Sequence, residues 1–212
     1  MKRVVFLVMI LGLFTFLSGC QSDHKQAAEI QRKMEESASF EEKFVENQKD
    51  LYVNRKKVQE IYHDVLSLDS NDTDAIKQRV GDHEISMEKQ QLNEAEENFQ
   101  TAYSKLMSID ENIELIKDAA QKKQATKLMT LMNNRKKLME NFFDTYRDLL
   151  NSQSTFFANL EQGKFELNTL EDEIDAINKD SIHMSEVVEQ FNQVTEQYNK
   201  VMNAYFKMAD IS

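Results

Sequence analysis

The sequence predicts an all-α protein, an elongated antiparallel up-and-down bundle of four long helices. Three observations predict it. Proline and tryptophan are absent and the chain has only four glycines, so residues that stop a helix are scarce. Apolar residues recur at alternating steps of three and four, which keeps them on one stripe of a helix. Strand-like alternation appears nowhere.

The first element is a leader. Met1-Lys2-Arg3 is basic, Val4 to Leu17 is apolar and Ser18-Gly19 is small, the order of residues in a secretory signal peptide. The apolar run is shorter than the roughly 20 residues a spanning helix needs, so residues 1–19 are expected to be removed. Cys20, the only cysteine, follows directly. Leu17-Ser18-Gly19-Cys20 resembles the bacterial lipobox, in which a thiol accepts diacylglycerol and the chain is cut just before it. A disulfide within one chain is excluded for want of a partner. Cys20 is therefore expected to be the first mature residue and, once doubly acylated, a stable membrane anchor. Residues 20–24 are expected to form a short tether and 25–208 a single helical domain.

In the first helix the seam runs through Ala27, Ile30, Met34, Phe44, Leu51, Val58, Tyr62 and Val65, with polar entries at Ser37, Glu41, Gln48 and Arg55. The second runs through Leu92, Ala95, Phe99, Ala102, Leu106, Ile109, Ile113, Ile116 and Ala120. The last keeps step from Leu167, Leu170, Ile174 and Ile177 through Met184, Val188, Phe191, Tyr198, Met202 and Tyr205. Asp69 to Asp72, with Thr73 as an N-cap, reads as a turn. Gly163 suits a helix C-terminus. Ser108 to Glu111 imitates a capping box, but the seam passes through it in phase, which reads as helix interior. The phase slips in the polar stretch from Gln121 to Lys127, where a turn or hinge is expected. The expected helices are thus 25–68, 73–120, 127–161 and 165–208; the alternative joins 73–161 into one helix of a three-helix arrangement.

Charge narrows the function. The chain has a net charge of −11, and loss of Lys2 and Arg3 makes it more negative still. Nucleic acid is excluded as a partner on that ground. Bundle metal sites use two Glu-x-x-His pairs; here Glu60 with His63 is the one such pair, and a looser Asp180 with His183 would stand far from it along the bundle. Asp69 to Thr73 imitates a calcium loop without its glycine or its closing glutamate. No metal and no cofactor is expected, and no hydrolase, metalloprotease or phosphate-loop pattern is present. Catalysis is not expected. Phe142-Phe143, Tyr146, Phe156-Phe157 and Phe165 form an aromatic-rich region, read as a wide core stripe with the alternative that Phe143 or Phe157 lines a groove or oligomer face. Arg55-Lys56-Lys57 and Arg135-Lys136-Lys137 are basic patches on an acidic chain. If helix one rises from Cys20, then Lys122, Lys123 and Lys127 return to the membrane beside Lys25, Arg32 and Lys33, where anionic headgroups attract them. The Asp69 and Gly163 turns then collect acidic residues at the opposite end.

With its lipobox at Cys20, its missing proline and tryptophan and its acidic helical body, the whole chain resembles the YkyA-like lipoproteins of Gram-positive bacteria. That resemblance implies cell-wall binding and carries no catalytic residues. The expected function is a non-catalytic lipid-anchored module, exported to the outer face of the cell membrane, whose partner is a wall polymer or an envelope protein. The alternative is an accessory or solute-binding lipoprotein of an envelope transporter, or an envelope enzyme. The oligomeric state is not legible.

Overall fold

The structure is a computed structural model that describes the backbone of residues 2–68, 72–80, 82–162 and 167–211. Side chains are described for these residues except 2–21, 73, 82–84, 167, 168 and 170. Among the described residues the chain is all-α, with six helices and no strand: α1 (Lys2–Ser67), α2 (Thr73–Arg79), α3 (Asp82–Met107), α4 (Asp110–Glu114), α5 (Ala119–Gln162) and α6 (Leu167–Met208). Four of them are long, and they pack as a helical bundle. None is long and apolar enough to cross a membrane, within the described residues.

The expected breaks around residues 69–72 and at Gly163 fall where α1 gives way to α2 and α5 to α6; residues 69–71 and Gly163 themselves lie outside the described residues. Asp72, rather than Thr73, is the N-cap of α2, its carboxylate accepting the Ala75 N–H at 3.0 Å. Thr73 is already helical and cannot fill that position.

The segment expected as one helix over 73–120 is divided, and the continuous 73–161 alternative falls with it. Val80 leaves α2 in an extended conformation, at φ −83° and ψ 98°. A second interruption spans Ser108 to Asp118 on either side of the five-residue α4. The seam holds through it as far as Ile116, because tighter turns alternate with helical ones without turning the apolar face away. Ile109 N–H bonds Leu106 C=O at 3.1 Å, Leu115 N–H bonds Asn112 C=O at 3.2 Å and Ile116 N–H bonds Ile113 C=O at 3.2 Å. Ile113 N–H bonds Ile109 C=O at 3.0 Å, an α-helical step of four, and the i→i+3 turn that follows returns Ile116 to the same face after three, so Ile109, Ile113 and Ile116 all remain buried. The capping box does not form: the Ser108 hydroxyl donates back to Lys105 C=O at 2.6 Å.

The stretch from Gln121 to Lys127, expected as a turn, lies inside α5. Its polarity is that of a helix with its own inward positions: Gln121, Ala125, Leu128 and Met132 are buried at steps of four, three and four. Ala120, which the seam would have buried, is exposed.

The chain forms two compact units, one made of Met1–Ser39, Thr101–Lys136 and Asn192–Ser212, the other of Phe40–Gln100 and Lys137–Phe191. In the first unit Ala27 and Ile30 of α1, Ala102 and Leu106 of α3, Leu128 and Met132 of α5 and Tyr205 of α6 make the core. The Arg135 guanidinium lies 4.7 Å from the centre of the Tyr198 ring and donates to the Thr195 hydroxyl at 3.1 Å. Asp210, with φ 55°, ends α6 in a left-handed turn that lets Ile211 N–H reach back to Phe206 C=O at 3.0 Å, a common helix stop.

In the second unit α1 and α3 run antiparallel. Asn98 donates to Asn47 at 2.8 Å; seven residues further along α1, Asn54 donates to Gln91, seven back in α3, at 2.5 Å. Phe44, Phe99 and Phe143 meet with ring centres 5.3 to 6.2 Å apart. Phe142, Tyr146, Phe156 and Phe157 are buried as well, so these members of the aromatic-rich region are core and neither Phe143 nor Phe157 is left for a groove; Phe165 lies outside the described residues. On α6 the inward position is Val187, while Val188 is exposed.

Candidate functional site

The N-terminal part of α1 is built around Asp23, three residues after Cys20. Asp23 is buried on the same stripe as Ala27 and Ile30, so the packed structure begins inside the segment 20–24 expected as a tether. One carboxylate oxygen accepts the Lys117 N–H at 2.9 Å and the other the Asp118 N–H at 2.8 Å. Asp118 in turn caps α5, accepting the Gln121 N–H at 2.7 Å, and the Gln121 side chain returns to Asp23 C=O at 3.4 Å. A buried carboxylate is costly unless hydrogen-bonded; here both of its oxygens are engaged by amides that the helix break has freed.

Two further α1 residues serve the same corner. The Lys33 ammonium donates to Ser108 C=O and to the Asn112 side chain, both at 2.7 Å, and Asn112 donates to Gln26 at 2.8 Å. Tyr205 packs here too, and burial, with the charge of Asp23 as a smaller cause, pushes its hydroxyl pKa up. Asp23, Gln26 and Lys33 thus satisfy from α1 a connection that α3, α4 and α5 cannot satisfy for themselves. The arrangement is structural chemistry: Asp23, Gln26, Lys33, Asn112 and Gln121 bond one another and the backbone of the connection, while the buried Tyr205 hydroxyl has no hydrogen-bond partner among the described residues.

The Cys20 side chain lies outside the described residues, and the α1 backbone runs through that position. Lys122 and Lys123 stand on the first turns of α5, immediately after the corner Asp23 holds, with Lys127 one turn further on. Lys122 pairs with the Glu114 carboxylate at 2.9 Å and with Glu114 C=O at 3.0 Å. Lys123 and Lys127 are exposed, as is Lys25. Arg32 is held between Glu29 and Glu36, so it and Lys33 are engaged within the unit.

The second unit carries a different polar feature. Glu88 is 1% exposed in the bundle interior, where Tyr146 donates its hydroxyl hydrogen to one carboxylate oxygen. The other oxygen has no hydrogen-bond partner among the described residues. Burial pushes the Glu88 carboxyl up to about 7, against the opposing effects of Tyr146 and Arg55. Arg55 lies 6.0 Å from the Tyr146 ring centre and points one nitrogen at the Met184 sulfur, 3.8 Å away. Of the Arg55-Lys56-Lys57 patch, Arg55 is therefore half-buried while Lys56 and Lys57 are exposed. His63 and His183 are both exposed. Among the described residues no group of three or more His, Cys, Asp or Glu side chains could hold a metal ion.

Sequence reasoning passed over Asp23 and Glu88, although both were marked. Asp23 precedes Ala27 by four, and Glu88 precedes Leu92 by four, so each continues its seam one turn backward. A polar residue on an apolar register was the available signal.

The fold and this corner define a class, an all-α bundle whose N-terminal helix is locked to the rest of its unit directly after a lipobox-like cysteine. The chain belongs to the YkyA family: the family model, described as "putative cell-wall binding lipoprotein", matches residues 25–208. A crystal structure of a conserved protein of unknown function from Staphylococcus aureus is similar in fold, with a TM-score of 0.63 at 16% identity, covering 86% of this chain and 93% of that one. No curated protein matches the chain.

Proposed function

We propose that the protein is a non-catalytic surface module, exported, held at the outer face of the cell membrane by a diacylglyceryl group on Cys20, and engaged through its helical body with a component of the cell wall. The observation that carries this reading is the family match over residues 25–208, described as "putative cell-wall binding lipoprotein", and the bonding of Asp23 gives the anchor its geometry. The residue one helical turn from the candidate anchor is fixed by both carboxylate oxygens to the start of α5, so the anchor joins the folded unit with almost no slack. The family description and Leu17-Ser18-Gly19-Cys20 support the same reading. Lys123 and Lys127, with Lys122 more weakly because Glu114 engages it, are the basic residues that would meet anionic headgroups.

The test is fractionation of cells producing the Cys20→Ser variant. Wild-type protein is expected in the membrane fraction and the variant in the soluble fraction with its helical circular dichroism intact. Recovery of the variant wholly in the membrane fraction would refute anchoring through Cys20.

A further inference from the structure

The α1 surface around Tyr52 sets an exposed aromatic ring among basic and neutral side chains. Tyr52 is 71% exposed, because it follows the buried seam residue Leu51 and so projects from the outside of the helix. On a helix its surface neighbours are the positions three, four and seven away: Val45, Gln48, Lys49, Arg55, Lys56 and Gln59. None is acidic, on a chain with a net charge of −11; the acidic residues flanking this set are Glu46, three before Lys49, and Glu60, four after Lys56, at its two ends. Lys49 and Lys56 are both exposed and stand about 10 Å apart along the helix at about 1.5 Å per residue, with the tyrosine ring between them.

We propose that this face of α1, centred on Lys49, Tyr52 and Lys56, binds an anionic glycan of the cell wall, a sugar polymer bearing phosphate or carboxylate groups. The proposal rests on the wall-binding reading above and assigns it a surface and a ligand chemistry. An exposed tyrosine offers a flat apolar ring with a polar tip, which fits the C–H face of a sugar. The two lysines supply local positive charge where an anionic chain would otherwise be repelled by the protein's net charge. A second copy of the chain is a poorer occupant, because stacking this face on itself sets lysine against lysine. A lipid surface is a poorer one too, since Tyr52 and Val45 are the only apolar side chains in the set and membrane-surface helices need a broad apolar face.

The experiment measures binding of the full chain, purified in detergent, to isolated cell walls with their anionic polymers intact, to the same walls after those polymers are extracted, and to vesicles containing an anionic lipid. Wild-type protein is expected to bind intact walls in a salt-sensitive manner and to lose most of that binding on extracted walls. Tyr52→Ala is expected to weaken wall binding about tenfold, the combined Lys49→Glu and Lys56→Glu change at least as much, and Tyr52→Phe only slightly, since it keeps the ring. Vesicle binding is expected to be the same for all four proteins. If wild-type protein binds walls and the variants bind equally well, this surface is wrong and the wall-binding reading stands. If wild-type protein fails to bind walls at all, both fall. Equal binding to extracted walls overturns the anionic-polymer chemistry, a parallel loss on vesicles reassigns the face to lipid, and a Tyr52-dependent dimer in sedimentation reassigns it to self-association.

Discussion

Tyr146 donates its hydroxyl hydrogen to Glu88 in the interior of the second unit, and the remaining Glu88 oxygen finds no partner among the described residues. A hydrogen bond to one oxygen lowers a carboxyl pKa, but desolvation of the whole group outweighs it, and the carboxyl sits at about 7 instead of 4.5. In its ionised form the group is a buried charge, compensated only in part by Arg55.

The pH dependence follows from that sign. A carboxyl whose pKa is raised on folding stabilises the fold fully below its unfolded value near 4.5 and loses that contribution as pH rises through about 7. The melting temperature is expected to fall between pH 5.5 and pH 8, by a contribution of at most about 3 kcal/mol from this group. Glu88→Gln should flatten the difference and raise stability at pH 8. Thermal unfolding of both proteins at the two pH values checks it, and equal pH dependence in the variant would show that Glu88 is not the responsible group.

Asp23→Ala is expected to cost about 2–4 kcal/mol, because two hydrogen bonds to a charged acceptor are lost and two amides are left without it. The local reporter is more telling than the global one. Hydrogen exchange at the Lys117 and Asp118 amides should quicken sharply in Asp23→Ala and less in Asp23→Asn, which retains one acceptor oxygen. Unchanged protection at these two amides would contradict the role given to Asp23.

Phe143→Ala is expected to destabilise by about 3–5 kcal/mol, since its ring is fully buried between Phe44 and Phe99. Tyr52→Ala should change stability by no more than about 0.5 kcal/mol, as exposed substitutions do. Chemical denaturation of the two variants separates the core aromatic from the surface one.

Lys123→Glu with Lys127→Glu, made in the Cys20→Ser chain, should weaken binding to anionic vesicles by about 1 kcal/mol per residue. The effect should shrink as salt is raised. Adding Lys122→Glu is expected to contribute less, because that ammonium is already paired with Glu114. Vesicle co-sedimentation at two salt concentrations reads all three, and identical binding would remove these lysines from the membrane contact.

Much of this architecture is written in local chemistry. Ile30, Ser37, Phe44, Leu51, Val58 and Val65 recur every seven residues and all are buried, because a helix stripe depends only on spacing. Even the polar member needs no distant help, since the Ser37 hydroxyl donates to Met34 C=O at 2.8 Å. The ends of α1 and α5 were legible for the same reason: Asp-rich and glycine-containing runs stop helices wherever they occur.

The interruption between α3 and α5 was not legible, and the reason is physical. Sequence periodicity reports which residues face inward, and Ile109, Ile113 and Ile116 face inward whether the backbone is α-helical or more tightly wound. What decides between the two is where the backbone N–H and C=O groups find partners. Here Ser108 C=O takes Lys33 and the Lys117 and Asp118 amides take Asp23, partners roughly 75 to 95 residues away in the chain. The polar run after it misled in the opposite sense: Gln121 is buried because Asp23 is beside it, and so the run continues a helix. The sequence by itself therefore determined the helical class, most of the inward stripes and the position of the one cysteine behind the apolar N-terminal run. Only the tertiary structure decided where the second long helix breaks and which polar residues lie inside, because those outcomes depend on hydrogen bonds between segments far apart in sequence.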